Sequence, residues 1–273
     1  MKRIPALNRF YFFMVLSLVF IQQGRAQDLQ LAISNPSYQI TAGDVYTLTY
    51  NNSVEVITVD YSYRLTIPGL GVINVAGQTY QELKQEIETI VTNIYGIYSG
   101  VKFSLTSPSS FYVFIKGEVN QAAERSTWAL GRLSSLLTNS LTDYSSIRNI
   151  TVTSINGQVK SYDLFKARRF GDLSQDPYLR PGDIITVSHL DRKVFVFGEV
   201  ERPDTYELLP GENIQELIRN YANGYTPIAD TGRIELKRYD ENSRMSTMTF
   251  LTKEEIHANY PLQHLDEIYI PPR

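Results

Sequence analysis

The chain reads as an α+β protein, on three observations: short alternating strands bounded by turn residues, amphipathic helices set between them, and an internal repeat. The best-marked helix starts at Thr79-Tyr80-Gln81-Glu82, where a hydroxyl and a carboxylate can satisfy each other's free backbone N–H groups; Leu83, Ile87, Ile90, Val91 and Ile94 then share one face. A second helix is expected after Ser126-Thr127, carrying Leu130, Leu133 and Leu137. A third is expected from Asn213, with Ile214, Leu217, Ile218 and Tyr221, ended by Asn223-Gly224. Strands are expected at Val45 to Tyr50, Tyr63 to Ile67, Tyr112 to Ile115 and Val194 to Phe197.

Residues 1–26 stand apart. Lys2, Arg3 and Arg9 precede the apolar run Phe10 to Ile21, and small residues lie one and three positions before a cut between Ala26 and Gln27. Twelve apolar residues fall short of the about 20 that span a bilayer, so a cleaved secretory signal is expected. Its removal takes away four basic residues and no acid, moving the net charge from −3 to −7. Phosphate backbones and anionic lipids call for clustered Lys and Arg, so no nucleic-acid partner is expected. With no Cys in the chain there is no disulfide, Cys-based zinc site or Cys nucleophile.

The repeat is the most informative feature. Phe111-Tyr112-Val113-Phe114-Ile115-Lys116-Gly117-Glu118-Val119 returns as Val194-Phe195-Val196-Phe197-Gly198-Glu199-Val200, and Leu179 to Val187 returns as Leu262 to Ile270. Pro fixes φ, Gly reaches conformations closed to other residues, and Asp bonds nearby N–H groups. Pro181-Gly182-Asp183 therefore launches a strand from a tight turn, as does Ala42-Gly43-Asp44. The second unit carries His264-Leu265-Asp266 instead, which leaves its turn in doubt.

In this order, the residues resemble the outer-membrane polysaccharide export family. The resemblance runs from Tyr38-Gln39-Ile40-Thr41-Ala42-Gly43-Asp44-Val45 through Leu65-Thr66-Ile67-Pro68-Gly69-Leu70-Gly71 and the capped helix to the two Gly-Glu-Val units, and covers nearly all of 36–271. It implies a signal peptide (1–26), a linker (27–35), a polysaccharide-export domain (36–108) and two soluble-ligand-binding β-grasp domains (109–191 and 192–273). Gly43, Asp44, Gly117, Glu118, Pro181, Gly182, Asp183, Gly198, Glu199 and Asp266 would be the motif residues that shape the turns. It also implies a periplasmic, outer-membrane-associated protein whose copies form a ring around a moving polysaccharide, with an inner-membrane co-polymerase or kinase as partner. Long members end in an amphipathic pore helix. This chain ends at Pro271-Pro272-Arg273, so a separate outer-membrane β-barrel, or a fragment, is implied.

Catalytic readings are weak. His189, His257 and His264 could offer only a His/carboxylate metal site, and Pro261 interrupts the segment that would align the last two, so no metal or cofactor is expected. Ser188 and His189, beside Asp191, are strand neighbours pointing to opposite faces, not a triad. Gly69-Leu70-Gly71 lacks the Lys and Ser/Thr of a phosphate loop and is expected as a turn. Glu254-Glu255 and Asp240-Glu241 resemble solvated acids more than a glycosidase pair. Arg168-Arg169 could touch an acidic glycan, although exposure or pairing with Asp172 is the plainer reading. Tyr95, Tyr98, Tyr221, Tyr225 and Tyr260 are candidates for sugar or subunit contacts, since Tyr joins a stackable ring to a polar tip. The expectation is a non-enzymatic export conduit; the rivals are a secreted glycan- or ligand-binding module that forms no pore, and a carbohydrate-modifying enzyme.

Overall fold

A computed structural model describes residues 27–240 and 244–273; the expected leader, up to Ala26, lies outside the described residues. Contacts divide the chain into two compact units. One holds the described residues up to Phe114 with Glu124–Leu136 and Pro177–Asp183; the other holds Ile115–Ala123, Leu137–Asp176 and Ile184–Arg273.

In the first unit, residues 27–34, within the segment expected as a linker, are helical (α1). Ala32 on it is fully buried and Leu29 and Ile33 pack on the same core, which is why the segment folds. Strands β1 (Val45–Tyr50), β2 (Ser53–Thr58) and β5 (Lys102–Ser107) make an antiparallel sheet in the order β2-β1-β5. Strands β3 (Arg64–Ile67) and β4 (Gly71–Asn74) form a hairpin, and two glycines serve the expected turn, Gly69 within it at φ +76° and Gly71 at the start of β4 at φ +105°. Helix α2 (Tyr80–Tyr95) has the anticipated capping box at Thr79 and Glu82. Its Leu83, Ile87 and Val91 are buried against Tyr46, Leu48 and Phe103, with the Tyr46 and Phe103 rings stacked at 4.9 Å. Ile94, expected on the buried face, is 58% exposed, because it falls in the last turn of the helix.

Strands β6 (Ser110–Gly117), β7 (Ala123–Trp128), β8 (Ser145–Thr153), β9 (Val159–Tyr162) and β10 (Ile184–His189) form a sheet in the order β7-β6-β10-β8-β9. Strands β11 (Lys193–Gly198), β12 (Asp204–Glu207), β13 (Ile234–Asp240), β14 (Met245–Leu251) and β15 (Glu267–Ile270) form another in the matching order β12-β11-β15-β13-β14. The sequence repeat is therefore a repeat of topology. In both, alternate residues turn inward: Phe111, Val113 and Ile115 on β6, Val194 and Val196 on β11.

A second departure from expectation concerns the helix after Ser126. Ser126-Thr127 lies in β7, and the helix α3 is only Leu133–Leu137. The chain reverses at Gly131, whose N–H donates to Trp128 O at 2.8 Å; a Cβ there would sit 2.0 Å from Thr127 Oγ1. Leu133 and Leu137 are fully buried, so the spacing was helical but belonged to a shorter segment. Two further helices are α4 (Leu164–Phe170) and α6 (Lys253–His257). The expected helix at Asn213 is present as α5 (Ile214–Glu216), which runs on as a π-helical turn, Leu217–Tyr221. It ends where anticipated, at Asn223 and Gly224 with φ of +62° and +89°. No helix among the described residues is long and apolar enough to cross a membrane.

Candidate functional site

The motif residues build backbone junctions. Gly117 and Gly198 close β6 and β11 with φ of +92° and +79°, and a Cβ on either would lie 2.2 Å from Val187 O or 2.0 Å from Ile270 O. These same carbonyls accept from Glu118 N and Glu199 N, each at 2.8 Å, so only glycine permits the approach that makes the bond. The carboxylates then reach matching threonines: Thr142 Oγ1 donates to Glu118 at 2.8 Å and Thr226 Oγ1 to Glu199 at 2.6 Å.

Three Asp turns repeat the same logic. Arg180 N donates to Asp183 Oδ2 and Gln263 N to Asp266 Oδ2, both at 2.7 Å, and Thr41 N to Asp44 Oδ2 at 2.9 Å. The turn placed in doubt by His264-Leu265 is formed: Leu265 adopts φ of +65°, close to the +80° of Gly182 after Pro181. Gly43, at φ +92°, precedes an Asp44 that has no exposed surface. Tyr38 and Tyr46 hydroxyls and Ser109 N also donate to that carboxylate, yet burial outweighs them and pushes its pKa up to about 6.

The second unit contains a buried charge cluster that no sequence motif marked. Arg148, with 1% of its side chain exposed, donates to Asp163 from Nε and Nη2 at 3.1 and 3.0 Å and to Glu212 at 2.6 and 2.9 Å. It also reaches Glu207 O at 2.9 Å and lies over the rings of Phe165 and Tyr221. Burial works against its charge, but the bonds to Glu212 and Asp163 more than offset this and raise its pKa. Glu207 has its pKa raised by burial, despite bonds from Ser146 Oγ and Ile147 N. The one Arg among the residues of β8 is the signal the sequence offers.

The second five-stranded sheet turns an aromatic face outward. Phe195 and Phe197 stack along β11 with rings 6.3 Å apart and 3° from parallel. Tyr269 pairs in register with Phe197, and Phe250 and Met248 continue the face on β14, where both are more than half exposed. A Lys237–Glu267 ion pair at 3.0 Å is its polar centre. Outward aromatics where polar residues would alternate make a surface suited to contact.

The chemical candidates are scattered. His189 Nδ1 lies 3.1 Å from Glu118 Oε2 and its ring stacks on Tyr144, away from any nucleophile pairing with Ser188 or Asp191. His257 Nδ1 donates to Lys253 O, and His264 Nδ1 accepts from Lys193 N. No group of three or more metal-binding side chains occurs among the described residues. Glu255 caps α6. Arg169 donates to Tyr221 O at 2.7 Å, while Asp172, considered as its partner, caps Ser174. Tyr98 is 95% exposed; Tyr221 is buried and donates to Glu212.

The described residues are α+β throughout, with turns that depend on glycine. Residues 32–104 match the family model for polysaccharide biosynthesis/export proteins, so the N-terminal module is a polysaccharide export domain, as the resemblance led one to expect.

Proposed function

We propose that this is a polysaccharide export protein acting without catalysis of its own, in which copies of the chain assemble into a conduit at the outer membrane. The single observation that carries the reading is the export domain over residues 32–104. The expected domains 109–191 and 192–273 are the soluble-ligand-binding β-grasp units, Ala26-Gln27 is the leader cut, and the chain works in the periplasm with an inner-membrane co-polymerase and a separate outer-membrane barrel. The matched strand orders and the paired Gly-Glu junctions support tandem units. A translocating polymer must not be held tightly, so weak contact over outward rings such as Phe197 and Tyr269 suits the role better than one deep pocket.

Deleting the gene should abolish surface glycan while polymer accumulates inside. Normal surface glycan would sink the proposal. Mass measurement of the mature chain with outer-membrane components should show a closed oligomer, head-to-tail contacts being the kind that close into rings. A monomer under every condition would favour the secreted binding module instead.

A further inference from the structure

The groove between α5 and α6 in the second unit measures about 510 Å³, within the about 300–1,000 Å³ usual for small-molecule sites. Its base is apolar: Ile214 and Ile218 are buried, and Ile256 and Tyr225 half-buried. Around it stand three exposed basic side chains, Arg219, Lys253 and His257, and no carboxylate lines it. Of the acids nearby in sequence, Glu216 accepts from Asn213 N at 3.0 Å and Glu255 from Thr252 N at 2.8 Å, each in a capping box, and Glu254 is exposed on α6 outside the groove lining. Arg219 and Lys253 make no ion pair with another described residue.

The walls are fixed in place. Gln215 Nε2 donates to Ile256 O at 3.2 Å and to His257 O, and Gln215 N donates to Asn259 Oδ1 at 3.1 Å. Leu262 N donates to Asn213 Oδ1 at 3.3 Å, closing the same end. A groove held by four bonds loses little freedom on binding, and two unpaired cations over an apolar base complement a ligand with one anionic group and a flat, partly apolar body.

We infer that this groove binds an acidic sugar residue of the glycan, its carboxylate between Arg219 and Lys253 and its ring against Tyr225. Two exposed cations in water supply modest attraction, so the site is a weak one that a moving chain can leave. The inference rests on the polysaccharide reading for its ligand and adds the class of sugar and the place of contact.

The test is a titration of the full mature chain, followed by amide NMR, with a tetragalacturonate, its fully methyl-esterified form and a neutral tetrasaccharide. The acid should shift Gly224, Tyr225 and Lys253 resonances and bind about tenfold more tightly than either uncharged probe. Arg219→Gln with Lys253→Gln, both exposed and outside the core, should remove that advantage while leaving the rest of the spectrum unchanged. Equal binding of acid and ester, shifts confined to other regions, or unchanged affinity in the double variant would each overturn the inference. The outcomes separate from those above: lost surface glycan on gene deletion with no groove binding leaves export standing and removes the site. Groove binding with normal surface glycan keeps the site and removes export.

Discussion

In the first five-stranded module Asp183 closes its turn with Oδ1 buried and unpartnered, whereas in the second Asp266 meets Arg238 with both oxygens, at 2.9 and 2.7 Å. The first turn has Gly182 at the left-handed position and the second has Leu265, strained there by its Cβ. The second module thus combines poorer backbone chemistry with better carboxylate pairing. What the two share is the backbone path and the Gly-Glu junction; side-chain partners have diverged around it. A second contrast concerns Arg148. Matching Val152 with Leu236, which pair with Ile185 and Ile268, puts Gly232 at the corresponding place in the second module, so the buried cluster has no twin.

The largest effect should come from breaking that asymmetry. Arg148→Ala leaves Asp163 and Glu212 in the cluster without their cation and should cost about 3–5 kcal/mol in a urea unfolding curve. A loss below about 1 kcal/mol would mean that water enters and that the cluster is not a core element.

Gly117→Ala and Gly198→Ala test what the modules share. Each drives a Cβ into a backbone carbonyl at positive φ and breaks the bond that carbonyl accepts, for an expected loss of about 3 kcal/mol apiece. Near-equal losses sharpen the equivalence; a loss at one site alone breaks it.

The pH response distinguishes the buried turns. Asp44 has a folded pKa of about 6, above its unfolded value near 4. The native state therefore binds more protons between these values, and stability rises as pH falls from about 7 towards 4, by on the order of 2 kcal/mol. Burial raises the Asp183 pKa as well, which adds in the same direction. Melting temperatures taken at pH 7 and pH 5 should show the rise, and Asp44→Asn should flatten it while lowering stability overall. An unchanged slope in that variant would assign the response to Asp183 and Glu207 instead.

The smallest effect is a gain. Leu265→Gly relieves the left-handed strain and should stabilise the second module by about 1 kcal/mol, whereas Gly182→Leu should cost about as much in the first. Differential scanning calorimetry of the two variants reads the pair directly, and a loss in Leu265→Gly or a gain in Gly182→Leu would refute the turn equivalence.

Much of this molecule was legible in the chain. The Thr79–Glu82 box, the Asn213 start and the Gly-Asp turns are local devices, closed by atoms a few residues apart, and their chemistry shows in the letters. The segment after Ser126 was misread because Leu130, Leu133 and Leu137 carry helical spacing through a reversal that Gly131 imposes. The helix over 27–34 was read as a linker because Leu29, Ala32 and Ile33 gain meaning only from the core they pack on.

Taken alone, the order of residues determined the α+β class, the tandem topology and the export resemblance, since periodicity and turn chemistry act over short stretches of backbone. Tertiary structure decided what lies far apart in sequence: the union of Arg148 with Asp163 and Glu212, the outward ring of Phe197 beside Tyr269, and the two unpaired cations over the α5–α6 groove. Burial and charge pairing depend on which surfaces meet, and that is set only when the sheets and helices have packed.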